Sequence, residues 1–154
     1  LVIETFEKKS RIRASAAAVF RFHERKEAFR LLSPPWQRIT VVQPPRSLEV
    51  GTRVVLRVAV GPVRRTLVFE HVGYVPGTSF TDKMVEGPLQ HWVHEHIVVP
   101  DGDAAAYLID RVEYSLPLGL LGALALRPIA RYELTRLFAY RHEVTRAECE
   151  GDGS

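Results

Sequence analysis

From Trp36 to Tyr114 the chain is a succession of strand-like runs and tight turns, and this pattern most limits its fold. The runs are Arg38–Gln43, Arg53–Val60, Val63–Tyr74, Ser79–Glu86, Gln90–Val99 and Ala104–Tyr114. Between them stand Pro44-Pro45, Gly51, Gly61-Pro62, Pro76-Gly77, Gly87-Pro88 and Asp101-Gly102. Pro-Gly suits a type II turn, where glycine takes the positive φ, and Asp-Gly is a strong hairpin signal. Consecutive strands joined by such short turns pair antiparallel.

The flanks complete the order. Val2–Arg13 alternates β-branched and charged residues and reads as a further strand, placed on a sheet edge where Lys8 and Lys9 discourage pairing with other chains. Ser15 can cap a short helix, Ala16–His23, because its hydroxyl can accept from an amide of the first turn. A second short helix, Lys26–Leu32, ends at Pro34-Pro35. After the breaker-rich segment Pro117–Gly122, Pro128 marks the start of, or a kink in, a long terminal helix. On that helix Ile129, Tyr132, Leu137, Tyr140 and Val144 are spaced for one apolar face, with Arg131, Glu133, Arg136 and Arg141 elsewhere. Residues 1–150 are thus expected to form one α+β domain: about seven antiparallel strands around a long C-terminal helix, with two short helices after the first strand. Residues 151–154 are expected to be a frayed, disordered tail.

Composition narrows the partners. Apolar residues make up 46% of the chain, enough for a sizeable core. The net charge of +3 is spread over strands and helices. Arg64-Arg65 and Arg11/Arg13 read as solvated strand faces, with no stacking platform or recognition helix beside them, so no nucleic-acid partner is expected. Cys149 is the sole cysteine, which excludes an intrachain disulfide. Leu116–Leu126 is too short to span a bilayer, and charges interrupt any leader-like run near Leu1, so a cytoplasmic protein without membrane insertion is expected.

The polar chemistry concentrates on three strands. His94 and His96 lie two apart and project from one strand face with Trp92 and Val98. Asp82 shares a face with Phe80 and Met84, and Asp110 with Leu108, Val112 and Tyr114. If these faces coincide, carboxylates and imidazoles can pair inside an apolar interior, either satisfying one another or moving a proton. Strand register decides the matter. A strict two-residue turn at Gly87-Pro88 sets Asp82 opposite Val93 and puts His94 on the other face; a bulge or an odd loop restores the shared face. His-x-His with a nearby Asp also suits zinc or iron, but without a further clear ligand no metal or cofactor is assigned.

The segments Gly87-Pro88-Leu89, Trp92-Val93-His94-Glu95-His96, Asp110 to Gly119 and Phe138-Ala139-Tyr140-Arg141-His142 resemble the START/Bet v 1-like (SRPBCC) superfamily. They look closest to its bacterial polyketide cyclase/dehydrase-like and cell division inhibitor-related branch. The resemblance implies a helix-grip fold with a deep hydrophobic cavity between sheet and C-terminal helix. It also implies that Asp82, His94 and Asp110 share the inner face. On this reading the cavity takes a hydrophobic small molecule: lipid-like, aromatic or polyketide-like. Its lining is expected from Phe80, Asp82, Met84, Trp92, His94, His96, Asp110, Tyr114, Tyr132 and Tyr140. Should the protein be an enzyme, His94 and Asp110 are the candidate catalytic pair for cyclisation or dehydration. A regulatory module that binds an unspecified protein is the remaining alternative, supported if the Pro117–Ala125 segment is exposed and apolar.

Overall fold

In the computed structural model, which describes residues 1–151, seven strands form one antiparallel sheet in the order β1-β7-β6-β5-β4-β3-β2. The strands are β1 (Ile3–Ile12), β2 (Ile39–Gln43), β3 (Arg53–Val60), β4 (Val63–Val75), β5 (Ser79–Glu86), β6 (Trp92–Asp101) and β7 (Ala105–Ser115). Two short helices, α1 (Ala16–Glu24) and α2 (Ala28–Leu31), follow β1, and α3 (Gly119–Glu150) ends the fold. This is the expected α+β helix-grip arrangement, with β1 on a sheet edge.

The turn dipeptides set the strand boundaries. Gly61, Gly77 and Gly102 all adopt positive φ at the hairpin tips, as their turns require. The Ser15 hydroxyl accepts from the Ala18 amide, which caps α1.

The terminal helix departs from expectation. It begins at Gly119, ten residues before Ile129, and carries Pro128 within it. The proline is exposed, so the carbonyl it leaves without a partner can be hydrated. Of the Pro117–Gly122 segment only Pro117 and Leu118 precede the helix, and Gly119–Gly122 form its first turn. Leu118 and Gly119 both take left-handed φ, and a Cβ on Gly122 would lie 2.2 Å from the Pro117 carbonyl oxygen. Only glycine fits that close approach.

The buried face of α3 also differs. Leu134, Leu137, Phe138, His142, Thr145 and Cys149 point inward, whereas Ile129 and Tyr132 are exposed. Leu118, Leu120, Leu121 and Leu124 form an exposed apolar stretch at its start. Gly151 closes the helix, its amide bonding to Ala147, and residues 152–154 of the expected tail lie outside the described residues.

Two apolar clusters hold sheet and helices together. One joins Val19, Phe20 and Phe22 of α1 to Phe80, Val98, Leu108 and the buried thiol of Cys149. The other packs Leu134, Leu137 and Phe138 of α3 onto Phe6, Val112 and Tyr114. The side chains of His23, His71, His94, His142 and Asp110 are buried as well. Among the described residues no helix is long and apolar enough to cross a membrane.

Candidate functional site

Strand register creates the site. The connection between β5 and β6 spans residues 87–91, longer than a two-residue turn, and sets Asp82 opposite His94 and Phe80 opposite His96. On the other side of β6, His96 faces Asp110 and His94 faces Val112. Asp82, His94, His96 and Asp110 thus share the inner face, as the family resemblance implies.

The hydrogen bonds run diagonally across these pairs. Asp82 Oδ2 accepts from His96 Nε2 at 3.0 Å and lies 3.8 Å from His94 Nδ1. Asp110 Oδ1 accepts from His94 Nε2 at 2.7 Å and lies 3.1 Å from His96 Nδ1. Asp110 Oδ2 accepts from His142 Nε2 of α3 at 2.6 Å, and His142 Nδ1 meets the Ser10 hydroxyl of β1 at 2.7 Å. Two imidazoles therefore stand between two carboxylates, and a third imidazole ties the deeper carboxylate to the helix.

The rings are fixed by stacking. Phe80, His96 and His94 form a column with centroid spacings of 3.9 and 3.7 Å, and Phe138 of α3 meets His94 edge-on at 5.1 Å. His94, Asp110 and His142 are almost wholly buried, while the side chains of Asp82 and His96 keep 15% and 13% exposure. The latter two thus form the accessible edge of the cluster.

Protonation follows from these contacts. Burial opposes charge on Asp110, but hydrogen bonds from His142, His94 and His96 prevail and hold its pKa well below the usual carboxylate range. Burial likewise opposes charge on Asp82, and the His96 bond and nearby histidine charges overcome it. With both carboxylates ionised, the imidazole nitrogens must donate to them. Burial and the neighbouring His96 charge lower the His94 pKa against the pull of Asp110. For His96 burial acts downward too, yet Asp110 and Asp82 together raise it. His94 is thus biased towards the neutral form, with its proton on Nε2, which donates to Asp110, and its lone pair on Nδ1, and His96 is biased towards the imidazolium form.

An adjoining cavity of ≈ 140 Å³ has apolar walls that include Ala28, Phe29, Leu48, Leu56, Phe69 and Trp92. Asp82, His94, His96, His71, His23, Arg25 and Arg141 supply its polar surface. Burial pushes His23 down to about 4, while its Nδ1–H donates to the Val19 carbonyl. His71 is also lowered by burial, against the pull of Asp82 and a backbone hydrogen bond at Leu48, and its Nδ1 has no hydrogen-bond partner among the described residues. Arg141 donates to the Leu32 carbonyl beyond the end of α2, tying α3 to the cavity wall.

Of the residues expected to line the cavity, Phe80, Asp82, Trp92, His94 and His96 do so, and Asp110 lies directly behind the histidines. The others lie elsewhere. Tyr132 is 64% exposed, because the inward stripe of α3 runs through Leu134 and Phe138. Tyr114 is buried in the second apolar cluster, and Tyr140 packs edge-on against Trp36. Met84 is half-buried near Gly87 and Leu67, outside the lining. Sequence reasoning missed His23, His71, Arg141 and His142 as site residues. For His142 a signal existed: it lies four and eight residues after Phe138 and Leu134, on their helix face.

Comparisons place this arrangement among known proteins. Residues 12–138 match the family described as "Polyketide cyclase / dehydrase and lipid transport". Curated protein sequences gave no match. Among solved structures, the di-domain aromatase/cyclase StfQ of the steffimycin biosynthetic pathway is similar with TM-score 0.76 and 15% identity, over 99% of this chain and 52% of that one. Norcoclaurine synthase from Thalictrum flavum is similar with TM-score 0.71 and 14% identity, over 97% and 88%. A nucleoside-diphosphate sugar epimerase from Corynebacterium glutamicum is 25% identical with TM-score 0.69, over 92% of this chain and 28% of that one. The match of the family profile over most of the sequence settles descent: the chain belongs to the polyketide cyclase/dehydrase and lipid transport family.

Proposed function

We propose that the protein binds a small, mostly apolar molecule in the cavity, with one polar group of that molecule held at the Asp82/His96 edge. The observation that carries this reading is an apolar chamber that ends on a buried, charged histidine–aspartate cluster. A cavity of ≈ 140 Å³ suits a single aromatic ring, since an apolar cavity of about 150 Å³ accepts benzene. A polyketide-like or lipid-like molecule would need α2 and the Pro45–Leu48 segment, which also line the chamber, to move outward. Relatives described as aromatase/cyclases support the aromatic and polyketide-like classes. Native mass spectrometry of the purified protein tests the reading. A mass excess lost on denaturation, or saturable uptake of an apolar fluorescent probe displaced by aromatic ligands, is expected. Absence of both overturns it.

One observation favours a second reading, an acid–base enzyme acting in cyclisation or dehydration. His94 and His96 are in contact yet shifted in opposite directions. His94 Nδ1 can then accept a proton from a bound molecule while His96 donates one. His94→Gln and Asp110→Asn should each lower turnover of a cyclisable substrate about 100-fold or more. Unchanged turnover would remove the assignment.

A further inference from the structure

The geometry points to a divalent-metal site of the zinc class formed by Asp82 Oδ2, His94 Nδ1 and His96 Nε2. This inference goes beyond the binding reading and rests on the side chains alone. The three atoms come from adjacent strands and all lie within 4.8 Å of one another. Asp82 Oδ2 is 3.0 Å from His96 Nε2 and 3.8 Å from His94 Nδ1. Ligands at 2.0–2.2 Å from a tetrahedral zinc stand about 3.4 Å apart, so these spacings bracket the required one. The third spacing, between the two imidazole nitrogens, is at most 4.8 Å, and closing it takes rotation of the rings.

The surroundings supply an independent argument. A ligating imidazole needs its other nitrogen held, which fixes both tautomer and ring orientation. Here one carboxylate serves both rings: Asp110 Oδ1 is 2.7 Å from His94 Nε2 and 3.1 Å from His96 Nδ1. Asp110 is itself anchored by His142 on its other oxygen. The lone pair of His94 and the exchangeable proton of His96 Nε2 are thereby turned towards Asp82. Two imidazoles and a carboxylate leave one tetrahedral position, and the cavity borders the cluster on that accessible edge. His71, opposite Asp82 across β4 and β5, lines the same cavity, its buried Nδ1 without a hydrogen-bond partner among the described residues.

Metal uptake releases the Nε2 proton of His96 to solvent and occupies the His94 lone pair. The metal-bound and proton-transferring forms of the cluster are therefore alternatives. In the metal form, a ligand oxygen would be polarised by the cation rather than protonated by His96.

The test uses untagged, chelator-stripped protein titrated with Co²⁺, read by visible d–d absorption, then competed with Zn²⁺. One saturable equivalent, displaced by Zn²⁺, is expected. Asp82→Asn and His96→Gln should weaken it at least 100-fold, and Asp110→Asn 10- to 100-fold. His91→Gln, which alters an imidazole beside Glu113 outside the cluster, should leave it unchanged. Should the cluster variants fail to fold, ¹⁵N shifts of the wild-type imidazoles under Zn²⁺ provide the second reading. His94 Nδ1 and His96 Nε2 must then move as the bound nitrogens. No saturable equivalent, equal affinity in Asp82→Asn, or shifts confined to other histidines would overturn the site. Apolar-probe binding by the metal-free protein is measured in parallel, so failure of the metal site is distinguishable from failure of the binding reading.

Discussion

Phe80 lies flat against His96, with ring centroids 3.9 Å apart and planes inclined by only 11°. The aromatic face is electron-rich, so it stabilises the imidazolium that Asp82 and Asp110 already favour. Phe80→Leu is expected to remove about 0.5–2 kcal/mol of that preference. NMR titration should show His96 losing its proton at lower pH in the variant. An unmoved titration would mean that the carboxylates alone set its charge.

Asp110 accepts from three histidines at almost no exposure. Replacing it with asparagine removes the negative charge that offsets His96 and leaves imidazole donors poorly matched. Breaking a buried ionic group in this way costs about 3–5 kcal/mol. Urea denaturation of Asp110→Asn at neutral pH should show a loss of that size, whereas Glu113→Gln on the exposed face should shift stability by less than about 0.5 kcal/mol.

Acidification should unfold the protein in two stages. His23 has a pKa of about 4 when folded, against an ordinary value of 6.5. Between these values the unfolded chain binds the proton and the folded one does not, so stability is full above 6.5 and falls as pH drops towards 4. The loss from this residue is about 3 kcal/mol. His94 and His71, also lowered, act in the same direction. His96, raised, acts oppositely: its contribution is complete at low pH and is lost as pH rises. Below 4 the depressed carboxylates Asp82 and Asp110 take over, their contribution lost as pH falls through their folded values. Urea midpoints measured from pH 7 to 4 should fall steeply, and His23→Gln should flatten that slope. An identical slope in the variant would remove His23 from the account.

Core and surface apolar residues of α3 should separate cleanly. Phe138 is fully buried against Phe6 and His94, so Phe138→Ala should cost about 3–5 kcal/mol. Leu121 is 82% exposed, and Leu121→Ser should change stability by less than about 0.5 kcal/mol. Thermal denaturation of the two variants checks both values.

The strand plan was legible because turn chemistry is local: Gly61-Pro62, Pro76-Gly77 and Asp101-Gly102 each mark a reversal without reference to the rest of the chain. Helix α3 was misread because its first ten residues contain Gly119, Gly122 and Pro128, all poor helix formers, and packing against the sheet overrides them. Its buried face includes His142 and Thr145, which a search for apolar periodicity passes over in favour of Tyr132 and Val144. The His-x-His pair was visible, but its alignment with Asp82 depends on the length of the 87–91 connection, which the turn residues alone leave open. His23 and His71 stand alone in sequence, and only tertiary packing brings them to the cavity.

Asp110 receives two donors from its neighbouring strand and its third from α3. That division couples the placement of the two elements. A single residue inserted between Pro117 and His142 would rotate the helix by about 100° and turn that imidazole away from the sheet. The length of chain between Asp110 and His142 is therefore fixed by the geometry of one hydrogen bond.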